Sequence, residues 1–343
     1  MDPRIHDALT RCIHAINLDN AFGYYPSDEQ KAQLDALAVE VQPLIEALAA
    51  QPYTGKGLGC GYLGHRGYRT PWADMMYRLR SSRGSHGLKW KDRIEVLFDT
   101  AGLDATEMLA WTLQVEDEIL RDHLLLHIAA DLALEGEMVR VEQEITPRLR
   151  PDMAYRADRV LLMEYARRGD ADAFLRKHKK ASQRQERHTL VDARNLLVEQ
   201  VAAQQGVDAA LRLCDEAKGF GDSYRATAMR SHADTASVKA MRAWVDAHPA
   251  LFASTPGLEE ELLVRAYAKG PRAESAGNDS DDDPFDELFA RVDALDKSLR
   301  AGDARLRDAL LLDLGMAVGP GPRRLLCRKK IGNASIKREL DSP

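Results

Sequence analysis

No run of about 18 apolar residues occurs in this 343-residue chain, so no transmembrane helix is expected. Aromatics are scarce at 6%, and Ala and Leu dominate the apolar set, which favours helix over sheet. The four cysteines, Cys12, Cys60, Cys214 and Cys327, are scattered and form no CxxC pair, so a zinc ribbon is not indicated. Reduced thiols in a cytoplasmic protein are the expectation. The N-terminal residues, Met1 to His6, include no apolar signal core. No Ser/His/Asp or Cys/His arrangement has a local signature. The net charge of −6 argues against non-specific DNA coating. What is present is ordinary for a soluble protein, 45% hydrophobic and 30% charged residues, and the length is enough to bury a sizeable core.

Turn signals recur every 32–37 residues, at Gly102, Gly136, Gly169, Gly206, a glycine-less Asp234–Ala236, Gly270 and Gly302. A period in this range with helices on both sides predicts stacked helix-turn-helix repeats. The flanks agree. Tyr165-Ala-Arg-Arg-Gly-Asp-Ala-Asp-Ala-Phe174 and Ala202-Ala-Gln-Gln-Gly-Val-Asp-Ala-Ala-Leu211 share one layout: an Ala-rich helix, Gly, an acid, then an apolar helix. The glycine suits a left-handed C-terminal cap, and the acid suits the positive N-terminal end of the next helix.

At these residues the chain resembles the tetratricopeptide-like superfamily, including its pentatricopeptide branch. Tyr165, Gly169, Phe174 and Ala181 stand where that family places an aromatic, a turn Gly, an apolar residue and an Ala. Ala202, Gly206 and Leu211 repeat part of the pattern. Leu132 and Gly136 fit, whereas Arg140 and Val141 do not supply the small contact. The resemblance covers about 102–270 and implies a ligand-binding α-solenoid.

The expected architecture is all-α. An N-terminal helical region (1–52) holds a helix over 3–18 and a second helix to about 50. Ser27 and Gln30 form the capping box of that second helix, and Pro43 should kink or split it. A Gly/Tyr/Arg-rich loop segment (53–91) precedes solenoid repeats (92–272), where Pro147 and Pro151 mark a break. An acidic flexible linker (273–284), a helix pair (285–300 and 303–316, within 285–318) and a disordered basic tail (319–343) complete the reading.

Segment 53–91 stands apart. It holds eight glycines, six Tyr or Trp and eight Lys or Arg against the single acid Asp74, so it carries +7 and the rest of the chain −13. Tyr62, His65, Arg66, Tyr68 and Arg69 sit close together, and Lys89, Trp90 and Lys91 close the segment. Arg clamps phosphate or carboxylate, and aromatics stack on bases. A loop packing its aromatics on the helices, with arginines paired to the acidic remainder, accounts for the same residues. Gly57 to Gly64 imitates a dinucleotide fingerprint but follows no strand and opens no helix, and Gly55-Lys56 lacks the earlier glycine of a P-loop.

His123, His127 and Asp131 lie at i, i+4 and i+8 on one helical face. Two histidines so spaced can bind zinc. They fall, however, in the apolar arc of Ile119, Leu120, Leu124, Ala130 and Leu134, so histidines at a helix interface, with no metal and no cofactor, are the expectation. The basic run 176–188 reads as a solvated helix end or a phosphate contact.

The first functional expectation is a non-enzymatic scaffold binding a protein or peptide, with no membrane partner. The alternative is a nucleic-acid or nucleotide-binding protein using 53–91, with Arg66, Arg69, Arg78, Arg80, Lys89 and Lys91 on phosphates and Tyr68 or Trp90 stacking. The third is an enzyme centred on Cys60 and His65.

Overall fold

The computed structural model describes residues 2–23, 26–49, 86–181, 187–253, 255–269, 283–301 and 304–341. Among them the protein is all-α apart from one two-stranded ladder. No described helix is long and apolar enough to cross a membrane. The chain divides into two compact units, Met1–Ala193 and Arg194–Pro343.

In the first unit, α1 (Pro3–Phe22) starts where the Asp2 carboxylate accepts the Arg4 amide, with Pro3 at the first position. It buries Ile5, Leu9, Cys12, Ile13 and Ile16, one face of a 3.6-residue period. Helix α2 (Asp28–Ala49) opens on the expected capping box: the Ser27 amide donates to Gln30 Oε1 at 2.7 Å, and the Gln30 amide donates to Ser27 Oγ at 3.2 Å. Pro43 does not split it. The proline is exposed, while Val41 and Ile45 on either side are buried and hold the helix down.

Helix α3 spans His86–Ala101, so the helices resume earlier than the sequence expectation of about Lys91. Next come α4 (Ala105–Thr112), begun by a capping box of Asp104 and Glu107, and α5 (Glu118–Glu135). An irregular stretch follows, with a π turn at Val141–Ile145 and a 3-10 turn at Thr146–Arg148, where the break at Pro147 was expected. Helices α6 (Ala154–Arg168) and α7 (Ala171–Ala181) complete the unit. Helix α3 packs on α1, α2 and α5, and α5 packs on α4 and α6.

Gly136 is a left-handed cap of the expected kind, whereas Gly206 (φ 90°, ψ 160°) lies outside the left-handed helical region and precedes the next helix, which corrects that expectation. Gly136 takes the left-handed conformation (φ 93°), and a Cβ there would lie 2.9 Å from Arg168 Nη1. Arg168 reaches back from the following helix to donate to the carbonyls of Ala133 and Leu134 at 3.2 and 3.1 Å, covering the open end of α5. Gly169 ends α6 in the same left-handed cap.

Helix α8 (Arg187–Gln205) runs through the boundary between the units. The second unit continues with α9 (Val207–Glu216), α10 (Asp222–Ala233), α11 (Val238–Ala247), α12 (Leu258–Lys269) and α13 (Phe285–Asp293). Residues 285–300 are thus not one helix: α13 stops at Asp293, and Arg300–Ala301 pairs antiparallel with Ala304–Arg305 before α14 (Leu306–Ala317). The expected acidic linker lies, up to residue 282, outside the described residues.

The C-terminal expectation is corrected. Residues 322–340 form α15 (Pro322–Lys330) and α16 (Ala334–Glu339), both packed on α14. Cys327, Ile331, Ile336 and Leu340 are buried, and the buried Asp308 carboxylate accepts the Gly332 and Asn333 amides at 3.1 and 2.9 Å. The apolar anchors and this backbone tie outweigh the repulsion among the basic residues, which face outward or pair, as Arg328 does with Asp341.

Polar contacts in each unit join residues about one sequence period apart. Lys177 meets Glu142, 35 residues away, in the first. In the second, Arg230 meets Glu261, Arg265 meets Asp234 and Arg291 meets Glu260, each 31 residues away.

Candidate functional site

Helices α10, α12 and α14 each turn one periodic face toward a common concavity of about 910 Å³ in the second unit. Ala226 and Arg230 come from α10, and Glu261, Arg265, Ala268 and Lys269 from α12. Helix α14 contributes Leu306, Leu310, Asp313 and Met316 at helical spacing. A neighbouring hollow of about 350 Å³ shares Arg230 and Arg265 and extends to Glu199 on α8. The lining mixes these charged groups with apolar side chains, among them Met316, 52% exposed.

The charges in these hollows are balanced. Arg230 pairs with Glu261, donating from Nε at 2.6 Å and from Nη2 at 3.2 Å. Arg265 pairs with Asp234 (Nη2 to Oδ2 2.7 Å), and Lys269 lies 3.9 Å from the same carboxylate. Two further carboxyls sit within the concave surface. Burial pushes Asp313 above the ordinary carboxylate range, against the pull of Lys269 and Arg265. Burial likewise raises Glu199, with Asp234 adding to the effect and Arg265 opposing it. A polyanion would meet these four acids along with Arg230, Arg265, Lys269 and Arg300.

The residues expected from segment 53–91 are not brought together as a described site. Tyr62, His65, Arg66, Tyr68, Arg69, Arg78, Arg80 and Cys60 lie outside the described residues. Trp90 and Lys91 are on α3, and both are buried, at 1% and 3% exposure. Lys91 Nζ pairs with Asp92 and Glu95 at 2.8 and 2.9 Å, and Arg93 lies over the Trp90 ring. Neither side chain is placed to hold a phosphate or stack a base, which corrects that expectation; Lys89 is half-buried. In the basic run 176–188, Lys177 pairs with Glu142 and Asp158, and the buried His178 stacks on Phe174. Burial raises the thiol pKa of Cys12 to about 12 and of Cys214 and Cys327 to about 11, so none is poised as a nucleophile.

The histidine face of α5 packs against α3 in a seam of buried charge. Asp122 accepts from Arg150 Nε at 2.6 Å. His123 is depressed to about 4, chiefly by burial and then by Lys91 and Arg156, against the weaker pull of Asp122 and Asp92. Its folded value lies below the ordinary 6.5, so the unfolded chain binds the proton first. Stability is therefore expected to fall by about 3 kcal/mol as pH drops from about 6.5 to 4. Urea midpoints across that range should flatten in His123→Gln; an unchanged slope would assign the acid sensitivity elsewhere.

His127 and Asp131 remain together, but the third member of their group is Asp99 of α3 rather than His123. The separation of 28 positions between Asp99 and His127 hides that pairing from the sequence. The i, i+4 spacing along α3 of Lys91, Glu95 and Asp99 was the one available signal.

No protein-family model, curated protein or solved structure matches the chain.

Proposed function

We propose that this protein is a non-enzymatic scaffold of tetratricopeptide-like helical repeats that binds a protein or peptide segment in the concavity of α10, α12 and α14. The observation that carries the reading is that concavity, with its mixed apolar and charged lining, its balanced charges and the two carboxyls raised by burial. Support for the repeats comes from the left-handed glycine caps and from the polar contacts 31–35 residues apart. Such repeats stack into surfaces used for recognition.

The partner is a segment of mixed charge with apolar anchors. Its acids meet Lys269 and Arg300, its basic groups meet Asp313 and Glu199, and its apolar side chains cover Met316. The test places a photo-crosslinking residue at position 316 of the full chain, with a control at the exposed Val39 of α2. The reading expects one polypeptide adduct specific to 316 that survives nuclease and high salt. In an Asp313→Arg background its yield should fall at least about tenfold, as for an anchor contact. Nucleic acid at 316, or equal yields from 316 and 39 that Asp313→Arg leaves unchanged, would contradict it.

A further inference from the structure

We propose that Asp99, His127 and Asp131 form a binding site for a divalent transition-metal ion of the zinc class, joining α3 to α5. The packing of these two helices brings Asp99 across to a histidine and an aspartate one turn apart on α5. The three donor atoms lie within 4.8 Å of one another. His127 Nε2 stands 3.6 Å from Asp99 Oδ1 and 3.5 Å from Asp131 Oδ2.

Two observations point to an ion rather than to a simple ion pair. The first is that His127 is fully buried, at 0% exposure, yet neither of its ring nitrogens makes a hydrogen bond. Buried polar groups are normally satisfied, and a metal–nitrogen bond would satisfy Nε2. The second is distance. Separations of 3.5 and 3.6 Å are long for a charge-assisted hydrogen bond. They are close to the span of about 3.0–3.5 Å between neighbouring donors that each sit about 2.1 Å from one ion.

The donor set selects the class. One imidazole nitrogen and two carboxylate oxygens suit zinc and its first-row neighbours. Calcium takes six to eight oxygens, and the copper(I) and iron–sulfur classes take sulfur donors. Asp99 and Asp131 keep 10% and 14% side-chain exposure, so water reaches the remaining coordination positions. His127 Nδ1 has no acceptor to orient the ring. Affinity is therefore expected in the micromolar range, below that of sites with a supporting hydrogen bond.

The probe is zinc chloride alone, titrated into chelator-treated full-length protein by calorimetry and checked by elemental analysis after dialysis. One saturable equivalent is expected, accompanied by a rise in the thermal midpoint. Asp99→Asn and Asp131→Asn should each weaken binding at least tenfold and remove the rise in midpoint. These variants are the primary test because His127→Ala empties a fully buried position; far-UV circular dichroism confirms their fold. Cobalt(II) should give visible absorption bands of a nitrogen- and oxygen-ligated ion in the wild type only. No saturable binding below millimolar zinc overturns the proposal, as does equal affinity in both Asn variants.

Discussion

Lys91→Met is expected to destabilise the protein by about 3–5 kcal/mol, the cost of breaking a buried ion pair from one side. Lys91 Nζ lies between Asp92 and Glu95, and all three side chains are nearly inaccessible. Glu95 Oε1 already has no hydrogen-bond partner, so removing the ammonium leaves that carboxylate with none. Methionine keeps the length and the packing of the stem, so the loss reports on charge rather than on a cavity. Burial alone would lower the lysine, but the attraction of Glu95 and Asp92 outweighs it and holds its pKa above the ordinary range. A value raised on folding contributes stability that is complete below about 10.4 and lost as pH rises through the folded value. The wild type should therefore lose stability in strong alkali, and Lys91→Met should lose less there. Guanidinium denaturation at neutral and alkaline pH measures both. A neutral-pH loss under about 1 kcal/mol would return Lys91 to the surface role that its sequence neighbours suggested.

Ending the chain after Gly319 is expected to have an effect as large. The deletion removes α15 and α16 and uncovers the face of α14 that they bury. Ile331, Ile336 and Leu340 are each nearly inaccessible, and burial of such a side chain is worth about 1.5–3 kcal/mol. The Asp308 carboxylate, 1% exposed, would also lose the Gly332 and Asn333 amides. Gly315 shows how close the fit is: a Cβ there would lie 2.9 Å from Leu340 Cδ2 and 3.2 Å from Cys327 Cβ. The total, about 5 kcal/mol or more, is comparable with the whole stability of a typical domain. Calorimetry of the shortened chain should show loss or strong depression of the second unit's transition. An unchanged melting profile would mean that the last 24 residues are dispensable, as their basic composition suggested.

The contrast between these residues and the helix ends explains what was legible in the sequence. Ser27 with Gln30, and the glycines at 136 and 169, announce themselves through local rules that a short window contains. The tail hid its helices because Arg323, Arg324, Arg328, Lys329 and Lys330 dominate its composition, while its four apolar anchors are spread over 327–340. Its folding depends on Asp308, far away in sequence. Only proximity in sequence groups Trp90 and Lys91 with the glycine-rich segment. The i, i+4 pairing of Lys91 with Glu95 signals a helix and was the better guide. The concavity of α10, α12 and α14 was not legible at all. It arises from three helix faces whose residues span 226 to 317, and only tertiary packing decides which faces align.

Hydrogen–deuterium exchange on the full chain, with and without the polypeptide captured at position 316, is the direct test of binding in the concavity. Slowed exchange is expected in α10, α12 and α14, with α1 and α2 unchanged. Protection confined to the first unit, or no protection in α12 and α14, would contradict it.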